Sequence, residues 1–165
     1  MLALRTKPRY PESSEYRAST TWDGATGGTA LTSGGQQIAF DTPAAYGGRG
    51  HGVCPDEVFL LSILACLNNT FLDFQRRFEM TLVSMHLDGE ARVSFDGTGY
   101  RVVEISVSGA IVVGAGELRT GRRCLELMKE YCHLGRSLKD CVPVKYDITV
   151  TEPTTTRERK WQRSE

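Results

Sequence analysis

The stretch PDEVFLLSILACL, residues 55–67, decides how the rest of the chain is interpreted. It opens with a proline, which suits the first turn of a helix because its missing N–H would have no partner there. Asp56 and Glu57 follow, where carboxylates favour the positive end of the helix dipole. Apolar residues then cover nearly every side of a helix that we expect to end at about Phe78. The pattern predicts a central helix rather than a superficial one.

Two cysteines lie in apolar helical patterns. Cys66 is inside the long helix, and Cys132 is in a second amphipathic pattern that predicts a helix from about Glu117 to Leu134. Thiols on two packed helices can meet, which would provide a nucleophile and a resolving partner for reversible thiol redox chemistry. Cys124, eight positions before Cys132, is predicted to be core, with a secondary chance of being the resolving thiol.

Composition narrows the class of protein. A chain of 165 residues fits one domain that can bury a core without disulfides. Twenty basic residues balance twenty acidic ones, so no net field attracts nucleic acid or an anionic membrane. The strongly apolar run 58–67 is about half as long as a membrane span. Five unevenly spaced cysteines and no secretory signal predict a cytoplasmic, reducing location.

Metal, cofactor and phosphate sites are not expected. No C-x-x-C or H-x-x-x-H spacing occurs, and Cys132 and His133, adjacent on a continuous helix, would point about 100° apart. The Gly-rich segment 46–52 lacks the lysine of a phosphate-binding loop, and the acidic pair after it would repel phosphate.

The element order predicts an α+β fold with antiparallel sheets wrapped on the two helices. Alternating or β-branched strands are expected within 16–40, at 81–87, at 100–108 and at 144–150. Residues 1–14 are interpreted as an extended arm, residues 15–151 as one domain, and residues 152–165 as a polar tail that we expect to be disordered.

Several motifs, in this order and spacing, resemble the OsmC/Ohr family of organic hydroperoxide reductases over roughly residues 16–150. They are DTP at 41–43, GG at 47–48, PDE at 55–57, LAC at 64–66 and CHLGRSL at 132–138. The resemblance implies an intertwined homodimer without cofactor or metal. In it a cysteine reduces an organic hydroperoxide, and a dithiol reductant, either a small thiol or a dihydrolipoyl or thioredoxin-type protein, regenerates the enzyme.

Carried over by position, the resemblance makes Cys66 the peroxidatic cysteine and Cys132 the resolving one. Asp56 falls where the family usually has a glutamate. That glutamate normally pairs with an arginine whose matching position here is Thr26. Ten helical residues put Asp56 about 15 Å from Cys66 along the axis, so we expect it to act through another residue, by orienting a cation.

A buried helical thiol needs a positive group to ionise, because desolvation favours the neutral form. Arg49 in the Gly-rich loop is the first candidate, with His51 and Arg17 behind it. His133 stands where a proline commonly follows the resolving cysteine. Thr26 and His133 therefore keep a second hypothesis open, a non-enzymatic OsmC-like dimer that binds a small apolar ligand or acts in a stress response without turnover.

Overall fold

The structure, a computed structural model, describes residues 11–153. The chain divides into two compact units, the first ending at Glu57 and the second beginning at Val58. Most of the predicted arm 1–14 and nearly all of the predicted tail 152–165 lie outside the described residues. Residues 11–14 are exposed and belong to no helix or strand. The assignment of residues 15–151 to one domain stays a prediction.

The first unit is the strand meander expected from its sequence. Strands β1 (Ala18–Trp22), β2 (Gly27–Thr32) and β3 (Gln37–Asp41) form one antiparallel sheet in that order. A short 3₁₀ turn, Ala44–Tyr46, then ends at Gly47, whose φ of 86° lies in the left-handed region that favours glycine. This turn leads the chain into the Gly-rich loop that carries Arg49.

The second unit contains most of helix α1 (Pro55–Arg77) and a second sheet. Its other elements, in chain order, are β4 (Leu82–Phe95), β5 (Tyr100–Val113), α2 (Leu118–Tyr131), α3 (His133–Leu138) and β6 (Val144–Thr151). The α+β class is confirmed. One detail differs from the expected antiparallel sheets: β4 and β5 are antiparallel, but β5 and β6 are parallel. Parallel neighbours need a crossover connection, and α2 with α3 supplies it.

Helix α1 begins at the predicted proline. The Cys54 N–H donates to Oε2 of Glu57 at 3.0 Å, which caps the amino-terminal turn. Buried residues recur at helical spacing along one face: Ile63, Cys66, Leu67, Phe71 and Phe74. The opposite face is less covered than the sequence predicted, since Leu61 is 58% exposed. By length and composition α1 could also cross a membrane, but this is weak evidence because core helices of soluble proteins meet the same criteria.

The core of the second unit lies between its sheet and its helices. Strand β5 buries four side chains on one face, in two alternating pairs on either side of Gly109: Ile105, Val107, Ile111 and Val113. Each fully buried aliphatic side chain of this kind stabilises the fold by about 1.5–3 kcal/mol. Helix α2 approaches the sheet closely at Gly121, where a Cβ atom would lie 2.8 Å from Val113 and 2.9 Å from Val150.

The second predicted helix is interrupted at Cys132. Helix α2 ends at Tyr131, Cys132 has φ −57° and ψ 112°, and α3 starts at His133, whereas the sequence predicted an unbroken helix to Leu134. The Cys132 N–H still donates to the Met128 carbonyl at 3.0 Å, and its carbonyl accepts from the Arg136 N–H at 2.9 Å. One extended residue therefore links the two helices, and apolar spacing could not reveal it.

Candidate functional site

The central feature of the site is the contact between two thiols. The Sγ atoms of Cys66 on α1 and Cys132 at the α2–α3 junction are 3.2 Å apart. Both cysteines are free, and their exposed fractions are 8% and 0%. The meeting of these thiols, predicted from two apolar helical patterns, is therefore present in the fold. A disulfide bond is about 2.05 Å long, so only a small approach separates the contact from a covalent bond.

Burial determines the protonation of Cys132. It raises the pKa of this thiol to about 11, while the backbone amides of Gly135 and Leu134 act in the opposite direction. Burial also raises the pKa of Cys124 to about 11. Both groups are therefore thiols rather than thiolates at neutral pH.

His133 is the third member of the site, and the sequence interpretation missed it. Its Nδ1 lies 3.4 Å and its Nε2 3.8 Å from Sγ of Cys66. Adjacent residues on a continuous helix would diverge by about 100°. The break at Cys132 instead lets the side chains of Cys132 and His133 both contact Cys66. A histidine directly after the second cysteine could have indicated this contact, but it was interpreted only as a departure from the family pattern.

Tyr146 on β6 borders the thiols from the sheet. Burial, followed by the nearby sulfurs of Cys132 and Cys66, raises the pKa of its phenol. Nζ of Lys129 lies 5.5 Å from the centre of the Tyr146 ring. Tyr146 and Gly135 also line an open cleft of about 810 Å³ beside α3. The other residues of the cleft are Lys129, Glu130, Tyr131, Arg136, Lys139, Pro143 and Val144.

In the first unit, Arg49 belongs to a hydrogen-bonded ionic cluster. Its guanidinium forms ion pairs with Asp23 and, at 3.4 Å, with Asp41. Its Nε and its backbone N–H each donate to Oγ1 of Thr26 at 3.2 Å. The charges of Asp23 and Asp41 raise the pKa of the guanidinium further, with the hydrogen bond to Asp23 as the largest cause. Arg49 is therefore a fixed cation beside the Thr26 hydroxyl.

Asp41 is the buried anion of this cluster, with 1% of its surface exposed. It accepts hydrogen bonds from the Thr26 hydroxyl at 2.7 Å, the Thr42 N–H at 2.8 Å and the His51 N–H at 3.1 Å. The Thr26 hydrogen bond is the largest cause of a lowered pKa at Asp41. His51, an alternative cation in the sequence analysis, contributes its backbone here.

Asp56 lies in the first turn of α1, where its Oδ2 is 3.8 Å from Sγ of Cys54. Within residues 11–153, the ion pairs of Arg49 are with Asp23 and Asp41. The role predicted for Asp56 in orienting the cation stays a prediction, as does the catalytic role of Arg49.

Comparison with known proteins supplies the family. The model of the OsmC-like protein family matches residues 48–147. An OsmC-like protein of unknown function from Vibrio cholerae has a similar structure, with a TM-score of 0.72 and 18% identity, covering 83% of this chain and all of its own. No curated protein matches the chain.

Two further similar structures are of organic hydroperoxide resistance proteins. The Legionella pneumophila protein has a TM-score of 0.68 and 18% identity, and the alignment covers 87% of this chain and 100% of that one. The Elizabethkingia anophelis protein has a TM-score of 0.65 and 12% identity, with the same coverage of 87% and 100%. At these identities the similarity shows the fold. Together with the family match over 48–147, it shows that this chain is a member of the OsmC-like protein family.

Proposed function

We propose that the protein is a thiol-dependent peroxidase that reduces organic hydroperoxides, with Cys66 as the nucleophile and Cys132 as the resolving cysteine. The observation that carries the proposal is the 3.2 Å contact between their sulfurs inside the second unit. Two free thiols at this distance can form a disulfide without unfolding of the chain. The organic hydroperoxide resistance proteins among the similar structures support the substrate class.

The chemistry balances with these two thiols alone. The Cys66 sulfur attacks the terminal oxygen of R–O–O–H, the O–O bond breaks, and Cys66 becomes a sulfenic acid. The departing alkoxide receives the proton that the Cys66 thiol has lost and leaves as an alcohol. Cys132 then attacks the Cys66 sulfur, its own proton leaves with the sulfenic hydroxyl as water, and a disulfide remains. A dithiol reductant restores both thiols and is itself oxidised to a disulfide.

Cys132 is favoured over Cys124 as the resolving cysteine. Among the residues that the structure describes, the thiol in contact with Cys66 is that of Cys132. Cys124 is eight residues earlier, on α2 and two turns away, with its side chain fully buried in the core.

We also propose a homodimer in the cytoplasm. Support for the dimer comes from the exposed apolar face of α1, where Leu61 borders a groove of about 370 Å³ together with Leu64, Met85 and Leu87. Apolar surface of this kind on a helix is typical of protein interfaces. The balanced charge and free cysteines are consistent with a reducing compartment.

The decisive experiment measures consumption of cumene hydroperoxide in the presence of dithiothreitol. The wild type should consume it well above the rate of the reductant alone, and Cys66→Ser should not. In a separate sample without dithiothreitol, Cys132→Ser should consume one equivalent of hydroperoxide and accumulate a Cys66 sulfenic acid that dimedone traps. Cys124→Ser, a change at another buried cysteine, is the matched control and should retain turnover. Wild-type protein that consumes no more hydroperoxide than the reductant alone would overturn the proposal.

The second candidate is a non-enzymatic dimer that binds a small apolar ligand. The groove between α1 and β4 is the observation that favours it, because its lining is more apolar than polar, with Asn68, Asn69 and His86 as the polar residues. In that case cumene hydroperoxide would remain unconsumed while an apolar fluorescent probe would bind in proportion to protein, and Leu64→Asp would abolish that binding.

A further inference from the structure

We infer that His133 is the acid–base residue of this site: it takes the proton from the Cys66 thiol and returns it to the departing alkoxide. The inference rests on the proposed function and deepens it. It adds a catalytic residue to the two cysteines, at a position where the resemblance suggested only a departure from the family pattern.

His133 contacts the Cys66 sulfur. The ring nitrogens of His133 lie 3.4 Å and 3.8 Å from the Cys66 sulfur, and the tautomer decides which of the two is unprotonated and can accept the Cys66 proton. A candidate base must be within hydrogen-bonding reach of the proton that it removes, and contacts to sulfur are longer than contacts to oxygen. His133 meets this condition in the ligand-free fold.

His133 and Cys66 differ in their exposure to solvent. The Cys66 side chain is only 8% exposed, whereas His133 is exposed at the start of α3. The imidazole therefore contacts a buried sulfur although the residue that carries it is exposed to water. A buried thiol gains a route for its proton without being opened to bulk solvent.

The other titratable groups around Cys66 in the second unit are less suited to accept its proton. Cys132 is a thiol, because burial raises its pKa to about 11. Tyr146 is a neutral phenol, because burial raises its pKa as well. Lys129 lies against the Tyr146 ring rather than against the sulfur. Imidazole is the side chain that ordinarily exchanges a proton near neutral pH, so His133 is the neighbour suited to both transfers.

An unprotonated ring nitrogen accepts the Cys66 proton, giving an imidazolium beside a thiolate. The thiolate attacks the terminal peroxide oxygen, the S–O bond forms and the O–O bond breaks. The imidazolium then donates its proton to the alkoxide, which leaves as an alcohol and returns neutral histidine. Two electrons pass from sulfur to the peroxide, and the proton count closes.

The test follows alkylation of Cys66 by iodoacetamide from about pH 5 to about pH 10, a range that spans ordinary histidine and cysteine titration. The chain carries Cys132→Ser, so that the neighbouring thiol cannot compete, and the labelled Cys66 peptide is quantified by mass spectrometry. His133→Gln should slow labelling at neutral pH by about tenfold or more and move the midpoint of the profile to higher pH.

Two controls make the result specific. His86→Gln removes an exposed histidine that pairs with Asp88 on β4, and its profile should match that of the parent. His133→Asn serves as a second variant if His133→Gln fails to fold, as judged by circular dichroism. If the pH profile of Cys66 alkylation in the folded His133 variant coincides with that of the parent, the inference is overturned.

Because the labelling experiment contains no hydroperoxide, it separates two failures. A histidine-dependent profile in a protein that does not consume hydroperoxide would retain His133 as the base of a reactive thiol and reject the peroxidase. Turnover of cumene hydroperoxide with a profile that His133→Gln leaves unchanged would retain the peroxidase and reject His133.

Discussion

The Nε atom of Arg49 donates a hydrogen bond to Oγ1 of Thr26 at 3.2 Å. By the resemblance, Thr26 occupies the position of the family's arginine, and Arg49 is the first candidate to replace that cation. The structure places a guanidinium beside the Thr26 hydroxyl, but it arrives from the Gly-rich loop rather than from the meander turn. A cation is thus available at this corner of the first unit although residue 26 is uncharged.

The first prediction exchanges the position of this cation. The resemblance predicts that Arg49 is the cation that favours the Cys66 thiolate, and on that prediction Arg49→Ala slows alkylation of Cys66 at neutral pH by about tenfold, the effect of roughly one pH unit in thiolate formation. Thr26→Arg in the same chain should restore most of the rate, because a guanidinium returns to the same corner. The measurement is iodoacetamide labelling with peptide quantification. Unchanged labelling in Arg49→Ala would show that Arg49 forms ion pairs with Asp23 and Asp41 but does not affect ionisation of Cys66.

The second prediction concerns acid stability. Hydrogen bonds from Thr26 and from the backbone lower the pKa of Asp41, so the folded chain holds this charge at a pH where the unfolded chain has begun to lose it. The resulting stabilisation is present at neutral pH and is lost as pH falls below about 4 through the lowered pKa. Asp41→Asn should reduce the melting temperature by about 5 °C at pH 7.

The control for that prediction is the same comparison in acid. The difference between wild type and Asp41→Asn should shrink as pH falls, because protonated aspartic acid resembles asparagine in charge. Asp88→Asn, an exposed aspartate on β4, should leave the melting temperature unchanged at neutral pH. A difference for Asp41→Asn that stays constant with pH would contradict the assignment.

The third prediction orders the cysteines by reactivity. Burial raises the pKa of Cys124 and Cys132 to about 11, so neither ionises appreciably near neutral pH. Cys141, which is exposed, should label first because the reagent reaches it directly. Labelling of Cys132 should rise with pH toward 11 without a plateau near 8. Rapid labelling of Cys132 at neutral pH in Cys66→Ser would be the contrary result.

The fourth prediction tests the dimer. Light scattering at micromolar concentration should give twice the chain mass for the wild type. Leu61→Glu should give a folded monomer, because it puts a charge on the exposed apolar face of α1, where Leu61 is 58% exposed. Tyr16→Glu, at another exposed apolar residue, is the matched control and should remain dimeric. A wild-type monomer would contradict the proposal outright.

Much of the fold was predictable because local patterns agree with it. The proline and acidic pair located the start of α1, and alternation located β4 and β5, although both strands continue beyond the expected 81–87 and 100–108. The parallel pairing of β5 with β6 was not predictable, since alternation specifies a strand and not the direction of its neighbour.

The site was predicted in part for a similar reason. Apolar spacing predicted the contact between Cys66 and Cys132, because this spacing indicates which faces of the two helices are buried. The contact of His133 depends instead on one backbone angle, the ψ of 112° at Cys132. Apolar spacing does not report this angle, so the sequence indicated a continuous helix on which Cys132 and His133 would point about 100° apart.

The contact between Cys132 and Cys66 has a consequence for the energetics of the proposed catalytic cycle. Oxidation would tie α1 to the α2–α3 junction and close a loop between positions 66 residues apart, which removes conformational entropy from the unfolded chain worth about 4 kcal/mol. Each turnover would therefore alternate between a tightly cross-linked protein and a looser one. The reductant acts on the more stable of the two, so regeneration rather than hydroperoxide attack is the step that must work against the fold.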